Sequence, residues 1–543
     1  MPATHEVFNQ AAPLGDHSAA DDPALLEGLH REGAGWAEAD VREVGTAAGS
    51  ERARAWGEAA NTYTPVLRTH DRYGHRVDEV DYQPAYHVLM DQAVEHGMHA
   101  APWADGRAGA HVARAAKFFL WSQAESGHGC PISMTYAAVP ALRHSPELAA
   151  RYEPLLTARS YDFGLRPPLG KSGLIAGMSM TEKQGGSDVR ANTTRAVPTA
   201  EGHYLLTGHK WFTSAPMSDV FLTLAQAPEG LTCFLVPRVL PDGTRNKVHL
   251  QRLKDKLGNR SNASAELEYD GAVAHPVGEP GRGVPTIIEM VNGTRLDCVI
   301  GSASGMRAAL VQAVHHAETR GVFGAPLVEQ PLMRNVLADL ALESEAATTL
   351  MTRLAGAQDR AVRGDEGEAA FRRLGVAVGK FWITKRQPAH AAEALECLGG
   401  NGYVEESGMP RLFRDSPLNS IWEGSGNVAA LDVLRAMARS PESVEAFLAE
   451  LRAAAGADDH YDAALARLER TLADREHAEL RARSVVELMA LTLQASLLLR
   501  HAPTPVAEAF TVARLGEDRG HVFGTLPRGV DVEPILERAR PRR

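Results

Sequence analysis

The hydrophobic period changes twice along this chain, and those changes constrain its fold more than any single residue does. From Trp36 to about Leu156 apolar residues recur every three or four positions, as in VREVGTAAGSERARAWGEAAN, YHVLMDQAVEH and AGAHVARAAKFFLWSQAES, the spacing of helices. Around Lys171 the pattern shifts to short β-rich runs, many of them alternating. SGLIAGMSMT, GHYLLTGHKWFTS, DVFLTLAQA, LTCFLVPR, KVHLQRL and ASAELEYDGA are split by Gly, Pro, Asp and Asn turns. From Val284 the helical period returns. Three long runs, the third expected to be interrupted near Pro388, and the helix after Asn427 predict a four-helix bundle. The strands do not alternate with helices and no GxGxxG follows a strand, which excludes a doubly wound nucleotide fold.

A chain of 543 residues, 44% hydrophobic and 23% charged, can bury several cores. The expected organisation is mainly α with a central β domain. A lead-in arm covers 1–35, a helical domain 36–171, a β barrel or sandwich 172–281, a helical bundle 282–440, and a C-terminal helical extension 441–543, set off by Ser440-Pro441. A net charge of -11 excludes a protein coated in basic surface, so any nucleic-acid contact needs a local patch. Cys130, Cys233, Cys298 and Cys397 show no CxxC spacing, which fits a reducing cytoplasm and no zinc site. His96, His99, His315 and His316 have no third ligand in view and read as helix-face residues. The N-terminus carries no signal-peptide pattern. The apolar run VVELMALTLQASLLL is shorter than a bilayer span and contains Glu487, so a buried helix is expected and no membrane partner.

The stretch richest in chemistry is PLNSIWEGSGN, 417–427. Glu423 stands there between the apolar pair Ile421 and Trp422 and the glycines 424 and 426, just before a helix. Free N–H groups and the positive end of a helix dipole favour the carboxylate, while apolar walls raise its pKa. A carboxylate between those influences suits a general base. Four other loops are candidates. TEKQGGSD (181–188) offers backbone N–H groups and the hydroxyls of Thr181 and Ser187. WFTS (211–214) ends a strand with an aromatic platform and two hydroxyls, RGVFGAPLVEQ (320–330) sets a guanidinium beside glycines, and ECLGGNGY (396–403) ends a helix in three glycines. Taken singly, each also fits a plain turn, a core tryptophan or a helix cap.

In this order, and on a helix–β–helix framework, the motifs resemble those of the acyl-CoA dehydrogenase family of flavoproteins. The resemblance covers about 35–440. It implies FAD as cofactor and Glu423 as the base that removes a proton α to a thioester. Thr181 and Ser187, with the backbone near Met178 and Gly186, would hold the flavin and substrate, and Phe212, Thr213 and Ser214, with Trp211 alongside, would contact the ring. Arg320, Phe323 and Gln330 and the backbone of Gly399 and Gly400 would reach the FAD of a neighbouring subunit. Ser425 and Asn427 would contact the cofactor after the turn. Sharing of FAD across an interface implies an oligomer, by resemblance a homotetramer. Some members carry the base immediately before an arginine of the long helix, but Thr294 precedes Arg295 here. No motif specifies the acyl group or the electron acceptor.

Within that family the chain is most similar to a bacterial branch of the adaptive response to alkylating agents. The shared segments are FNQ (8–10), REGAGW (31–36), CPISMT (130–135), MSMTEKQGGSDVR (178–190) and SIWEGSGN with LDVLR (420–435). Lys183 and Gln184 depart from the usual TEPxxGSD of the dehydrogenases. The branch implies weak acyl-CoA dehydrogenase activity and binding of double-stranded DNA through the C-terminal region. Residues 441–543 hold fourteen Arg, no Lys and seventeen Asp plus Glu, so such binding would need a local stripe from Arg475, Arg481, Arg483, Arg538, Arg540, Arg542 and Arg543. Three readings follow: a DNA-protecting flavoprotein with weak or redirected activity, a working acyl-CoA dehydrogenase, or a structural flavin-bound oligomer.

Overall fold

The change of period at Lys171 is a change of secondary structure in the computed structural model, which describes residues 3–10, 12–474, 476–517 and 520–541. The chain begins with helices α1 (Pro23–Arg31), α2 (Glu38–Ala48) and α3 (Glu51–Thr62) and the hairpin β1 (Val66–His70) and β2 (Arg76–Asp81). Helices α4 (Pro84–Glu95), α5 (Ala110–Ala124), α6 (Gly129–Leu142) and α7 (Pro146–Leu156) follow. Then come β3 (Ala176–Ser179), β4 (Arg195–Pro198), β5 (Tyr204–Ser214), β6 (Val220–Ala227), β7 (Gly230–Pro237), β8 (Val248–Leu253) and β9 (Ser264–Val277). The long helix α8 (Gly283–Thr319) leads into the short hairpin β10 (Gly321–Val322) and β11 (Ala325–Pro326). Helices α9 (Pro331–Val362), α10 (Glu366–Glu396), α11 (Met409–Asp415) and α12 (Gly426–Arg439) complete the expected bundle region. The extension holds α13 (Pro441–Arg452), α14 (Asp459–Ala473), α15 (Ala478–His501), α16 (Thr504–Leu515) and α17 (Glu533–Ala539).

Two compact units share these elements, and they do not follow chain order. A helical unit combines the described residues up to Glu51, His111–Gln123 and everything from Cys298 onward; a β unit combines Arg52–Ala110 and Ala124–Asp297. In the β unit seven strands run in the order β3-β6-β4-β5-β9-β7, with β8 on β9 and a further β6–β7 pairing that closes the path into a ring. Leu206, Phe221, Phe234, Leu250, Leu267 and Ala272 are buried at its centre. Helix α6 docks on β3, where the hydroxyl of Thr135 accepts the N–H of Ala176 at 3.0 Å and donates to Pro131 O at 2.7 Å.

In the helical unit α10 packs on α9, α12, α13 and α15, and α15 packs on α9, α12 and α14. The extension therefore shares the bundle's core. Arg353 of α9 joins them, its guanidinium 2.8 Å from both Glu368 of α10 and Glu450 of α13, and Arg500 of α15 reaches Glu450 at 2.6 Å. Arg538 of α17 spans Glu27 of α1 and Glu345 of α9 at 2.9 and 2.8 Å. Helix α15 is long and apolar enough to cross a membrane, but 78% of its apolar window is buried inside the protein, as expected for a core helix.

Three local expectations change. The stretch expected to be helical throughout contains β1 and β2, whose alternation is carried by charged residues: Arg68 pairs across the ladder with Glu79 at 3.2 Å and Asp81 at 2.6 Å. A hydrophobic period does not register such a ribbon. The lead-in arm carries α1, capped by Asp22, which accepts the Leu25 N–H at 3.2 Å, with Leu25 and Leu29 buried. Pro388 lies inside α10 without interrupting it. Packing on its neighbouring helices outweighs the one ladder donor a proline removes.

Candidate active site

In the β unit the loop after β3 is held by a buried ion pair that the sequence reading passed over. Glu182 Oε1 receives Lys210 Nζ at 2.9 Å and the Thr194 N–H at 3.1 Å, and Oε2 receives the Thr193 N–H at 2.7 Å. Burial alone would raise the Glu182 carboxyl, but the Lys210 ammonium and these hydrogen bonds outweigh it and hold the group far below the usual carboxylate range. The signal was present in β5, where Lys210 falls in the inward register set by Leu206. Loop and strand are joined again by the Trp211 N–H to Thr181 O at 2.8 Å and the Lys183 N–H to His209 Nε2 at 2.9 Å. Desolvation lowers the His209 pKa, which keeps that nitrogen an acceptor.

This brace brings one group of candidate residues together. A Cβ on Gly186 would stand 2.5 Å from Thr181 Oγ1, so the loop closes on a hydroxyl only because residue 186 is glycine. Ser187 is exposed beside it, and Met178 is half-buried in β3. Thr213 is buried with its hydroxyl 2.5 Å from Ser179 Oγ, and Ser214 Oγ lies 3.1 Å from Ser264 Oγ. Phe212 is exposed, while Trp211 lies under Lys254, whose Nζ is 3.4 Å from the ring centroid.

A second group lies in the helical unit. Glu423 is half-buried at φ 56°, followed by Gly424 at φ 100°, so two successive left-handed residues make the tight turn that precedes α12. A buried lysine, Lys380 of α10, donates to Gly424 O. Trp422 Nε1 donates to Asn419 Oδ1 at 3.0 Å, and Asn419 Nδ2 to Ser302 Oγ at 3.1 Å. Ile421, expected as an apolar wall, is exposed. Ser425 is the N-cap residue of α12 without a side-chain cap bond, and Ser425 and Asn427 are exposed at the helix start.

The same unit holds the glycine-rich candidates. Arg320 precedes the β10–β11 hairpin, and Phe323 sits in its turn at φ 51° with 99% of its surface exposed. Gln330 Nε2 donates to Val322 O at 3.2 Å, closing the hairpin onto the start of α9. Gly399 and Gly400 begin the turn that follows α10 in open space, with nothing within 4 Å of an added Cβ. These residues fit FAD. An arginine that meets a backbone carbonyl and no carboxylate among the described residues, an open glycine backbone and an exposed ring suit a dinucleotide's diphosphate and aromatic groups.

The supposed DNA stripe is largely engaged internally. Arg481 pairs with Asp474 at 2.8 Å, Arg538 with Glu27 and Glu345, and Arg540 with Glu318 at 3.1 Å. Arg483 lies over the Phe381 ring at 5.9 Å. Arg475, Arg542 and Arg543 fall outside the described residues.

Comparison with known proteins places the chain in a family. Family profiles match as adaptive response protein AidB N-terminal domain over 9–163, acyl-CoA dehydrogenase middle domain over 177–272, and acyl-CoA dehydrogenase C-terminal domain over 281–438. The chain is 46% identical to AidB of Escherichia coli (strain K12), a protein named as an acyl-CoA dehydrogenase, over 96% of both chains. It is 33% identical to acyl-CoA dehydrogenase family member 11 of Caenorhabditis elegans over 81% of this chain and 74% of that one. Among solved structures, the Bd2924 apo-form superposes with a TM-score of 0.84 at 29% identity, covering 92% of this chain and all of that one. The C. elegans ACDH-11 complex with C11-CoA gives a TM-score of 0.84 at 28% identity, covering 94% and 92%.

Proposed function

Because the chain belongs to the acyl-CoA dehydrogenase family of FAD-dependent oxidoreductases, in its AidB branch, we propose that it oxidises an acyl-CoA thioester with Glu423 as base. The observation that carries this is the Glu423 turn. A carboxylate in a left-handed backbone conformation costs on the order of 1 kcal/mol, and here it is kept by Lys380 on one side and the Trp422–Asn419–Ser302 chain on the other. Glu423 takes the α proton of the thioester, and that C–H electron pair becomes the new α,β double bond. FAD supplies the acceptor for the hydride that leaves the β carbon. The Glu182–Lys210 brace and Gly186 shape the loop that carries Thr181 and Ser187. The C11-CoA complex of the C. elegans relative supports an acyl-CoA substrate.

Anaerobic mixing with short, branched and long acyl-CoA thioesters, followed by flavin absorbance, tests this. The expected result is bleaching by one class. Glu423→Gln should keep FAD and fold yet lower the rate by at least about 100-fold, as loss of a general base does. Unchanged bleaching in that variant would sink the mechanism.

A second reading is favoured by the AidB profile over 9–163 and by the near full-length likeness to E. coli AidB, extension included. In it the protein is a cytoplasmic homotetramer that serves the response to DNA alkylation, binds duplex DNA, and keeps a weak or redirected dehydrogenase activity. The four cysteines are buried and not joined in disulfides, which supports the reducing compartment. Since Arg481, Arg538 and Arg540 are already paired, the affinity would rest on few phosphates and fall only gently with salt. Anisotropy titration of duplex DNA across salt concentrations checks it, and no binding at low salt would remove the DNA part.

A further inference from the structure

The β10–β11 hairpin has strands of two residues each, Gly321 facing Pro326 and Val322 facing Ala325, and a two-stranded ribbon that short does not hold its shape alone. What meets its outer edge is the N-terminal arm. Asn9, itself at φ 52°, donates from Nδ2 to Gly321 O at 2.8 Å and accepts the Gly321 N–H on Oδ1 at 2.6 Å. One side-chain amide thus satisfies both backbone groups of Gly321, as a neighbouring strand would. The carbonyl of Asn9 accepts Arg320 Nη1 at 2.6 Å, leaving Nε and Nη2 of that guanidinium without a partner among the described residues. The next residue, Gln10, accepts Asn401 Nδ2 at 3.0 Å, in the loop that carries Gly399 and Gly400. Further along, the arm is fastened to α8: His315 Nε2 lies 3.0 Å from Ala12 O, and Gln312 Oε1 accepts the Leu14 N–H at 2.9 Å.

We infer that Asn9 and Gln10 are positioning residues for cofactor binding: they lock the Arg320 hairpin and the 399–403 loop into one arrangement and aim the free edge of the Arg320 guanidinium at the diphosphate of FAD. This rests on the reading that those two loops hold the cofactor. The arm spends its own polar groups on the backbone of Gly321, the side chain of Asn401 and one guanidinium nitrogen, which leaves the planar fork that matches a phosphate. Ordering these loops before the ligand arrives removes an entropic cost from binding.

The test is FAD affinity of the full-length apoprotein, read by quenching of flavin fluorescence, with the Tm of each apoprotein measured alongside. Asn9→Ala removes two hydrogen bonds and should weaken FAD binding about tenfold, with Gln10→Ala weakening it less and the apoprotein Tm near that of the wild type. Asn9→Asp should also weaken binding, because it loses the donor to Gly321 and its carboxylate competes for Arg320. Arg320→Ala runs in parallel, and combined with Asn9→Ala it should lose less than the sum of the two effects. Wild-type FAD affinity in Asn9→Ala and Asn9→Asp, with Arg320→Ala impaired, would overturn the role of the arm. Wild-type affinity in Arg320→Ala would instead overturn the reading that this hairpin holds FAD.

Discussion

Lys210 and Glu182 meet as an ion pair with no exposed surface on either side chain, Nζ to Oε1 at 2.9 Å. Removing one partner leaves a buried charge without its counter-ion. Lys210→Met should therefore cost about 3–5 kcal/mol of stability, while the double variant Lys210→Met with Glu182→Leu should recover part of it. Urea unfolding of both variants measures the difference. Equal stabilities of the single variant and the wild type would mean that the pair does not brace the loop.

The same pair sets a pH dependence. Glu182 is held below its ordinary value of 4.5, so its contribution is fully present above that pH and is lost as pH falls toward the folded-state value. The wild type should lose stability progressively below about pH 4.5. In Lys210→Met the carboxyl no longer has its ammonium, so this acid limb should flatten. Urea midpoints taken at intervals from pH 6 downward compare the two, and parallel curves would refute the assignment.

Lys183→Pro restores the residue that the dehydrogenases usually carry in this loop. It also deletes the N–H that donates to His209 Nε2 at 2.9 Å. The expected loss is about 1 kcal/mol, the net worth of one hydrogen bond, and the 181–188 loop should become easier to open. Hydrogen exchange of the 180–188 amides is the measurement. Unaltered protection would show that the bond contributes nothing to the loop.

Arg353→Met tests whether bundle and extension are one cooperative structure. The guanidinium is buried between Glu368 and Glu450, and its loss leaves those carboxylates to Arg360 and Arg500 alone, at a cost of about 1.5–3 kcal/mol. Probes in α9 and in α15 should still report a single unfolding transition, shifted as a whole. Two separate transitions would show that the extension folds by itself.

Much of this was legible in the sequence, and the parts that were not have physical reasons. The shifts of period around Lys171 and Val284 mark the strands and long helices, because a half-buried sheet and an amphipathic helix need different spacings of apolar residues. The β1–β2 ribbon escaped notice since its cross-strand pairs are Arg68 with Glu79 and Asp81. Pro388 was read as a break because local propensity does not know of the helices packed around α10. The motif residues at 181–187, 211–214, 320–330 and 423 were visible as turn chemistry. Glu182, Lys210, Lys380 and Asn9, which hold those turns, were not, because their partners lie 11 to 312 positions away. The grouping of 111–123 with the residues after 298 is likewise a matter of long-range packing.

The sharing of one core by α10, α13 and α15 has a practical consequence. Cutting the chain at Ser440-Pro441, where composition suggests a boundary, would not release a module. It would strip α10 of the neighbours that cover it and leave the excised helices with apolar flanks facing water. Such a fragment, assayed for nucleic acid, would report the stickiness of an opened core and of arginines freed from Glu318, Glu345 and Glu27, not a property of the intact protein. Gain or loss of this segment would therefore require the faces of α9 and α10 that it covers to be resurfaced at the same time.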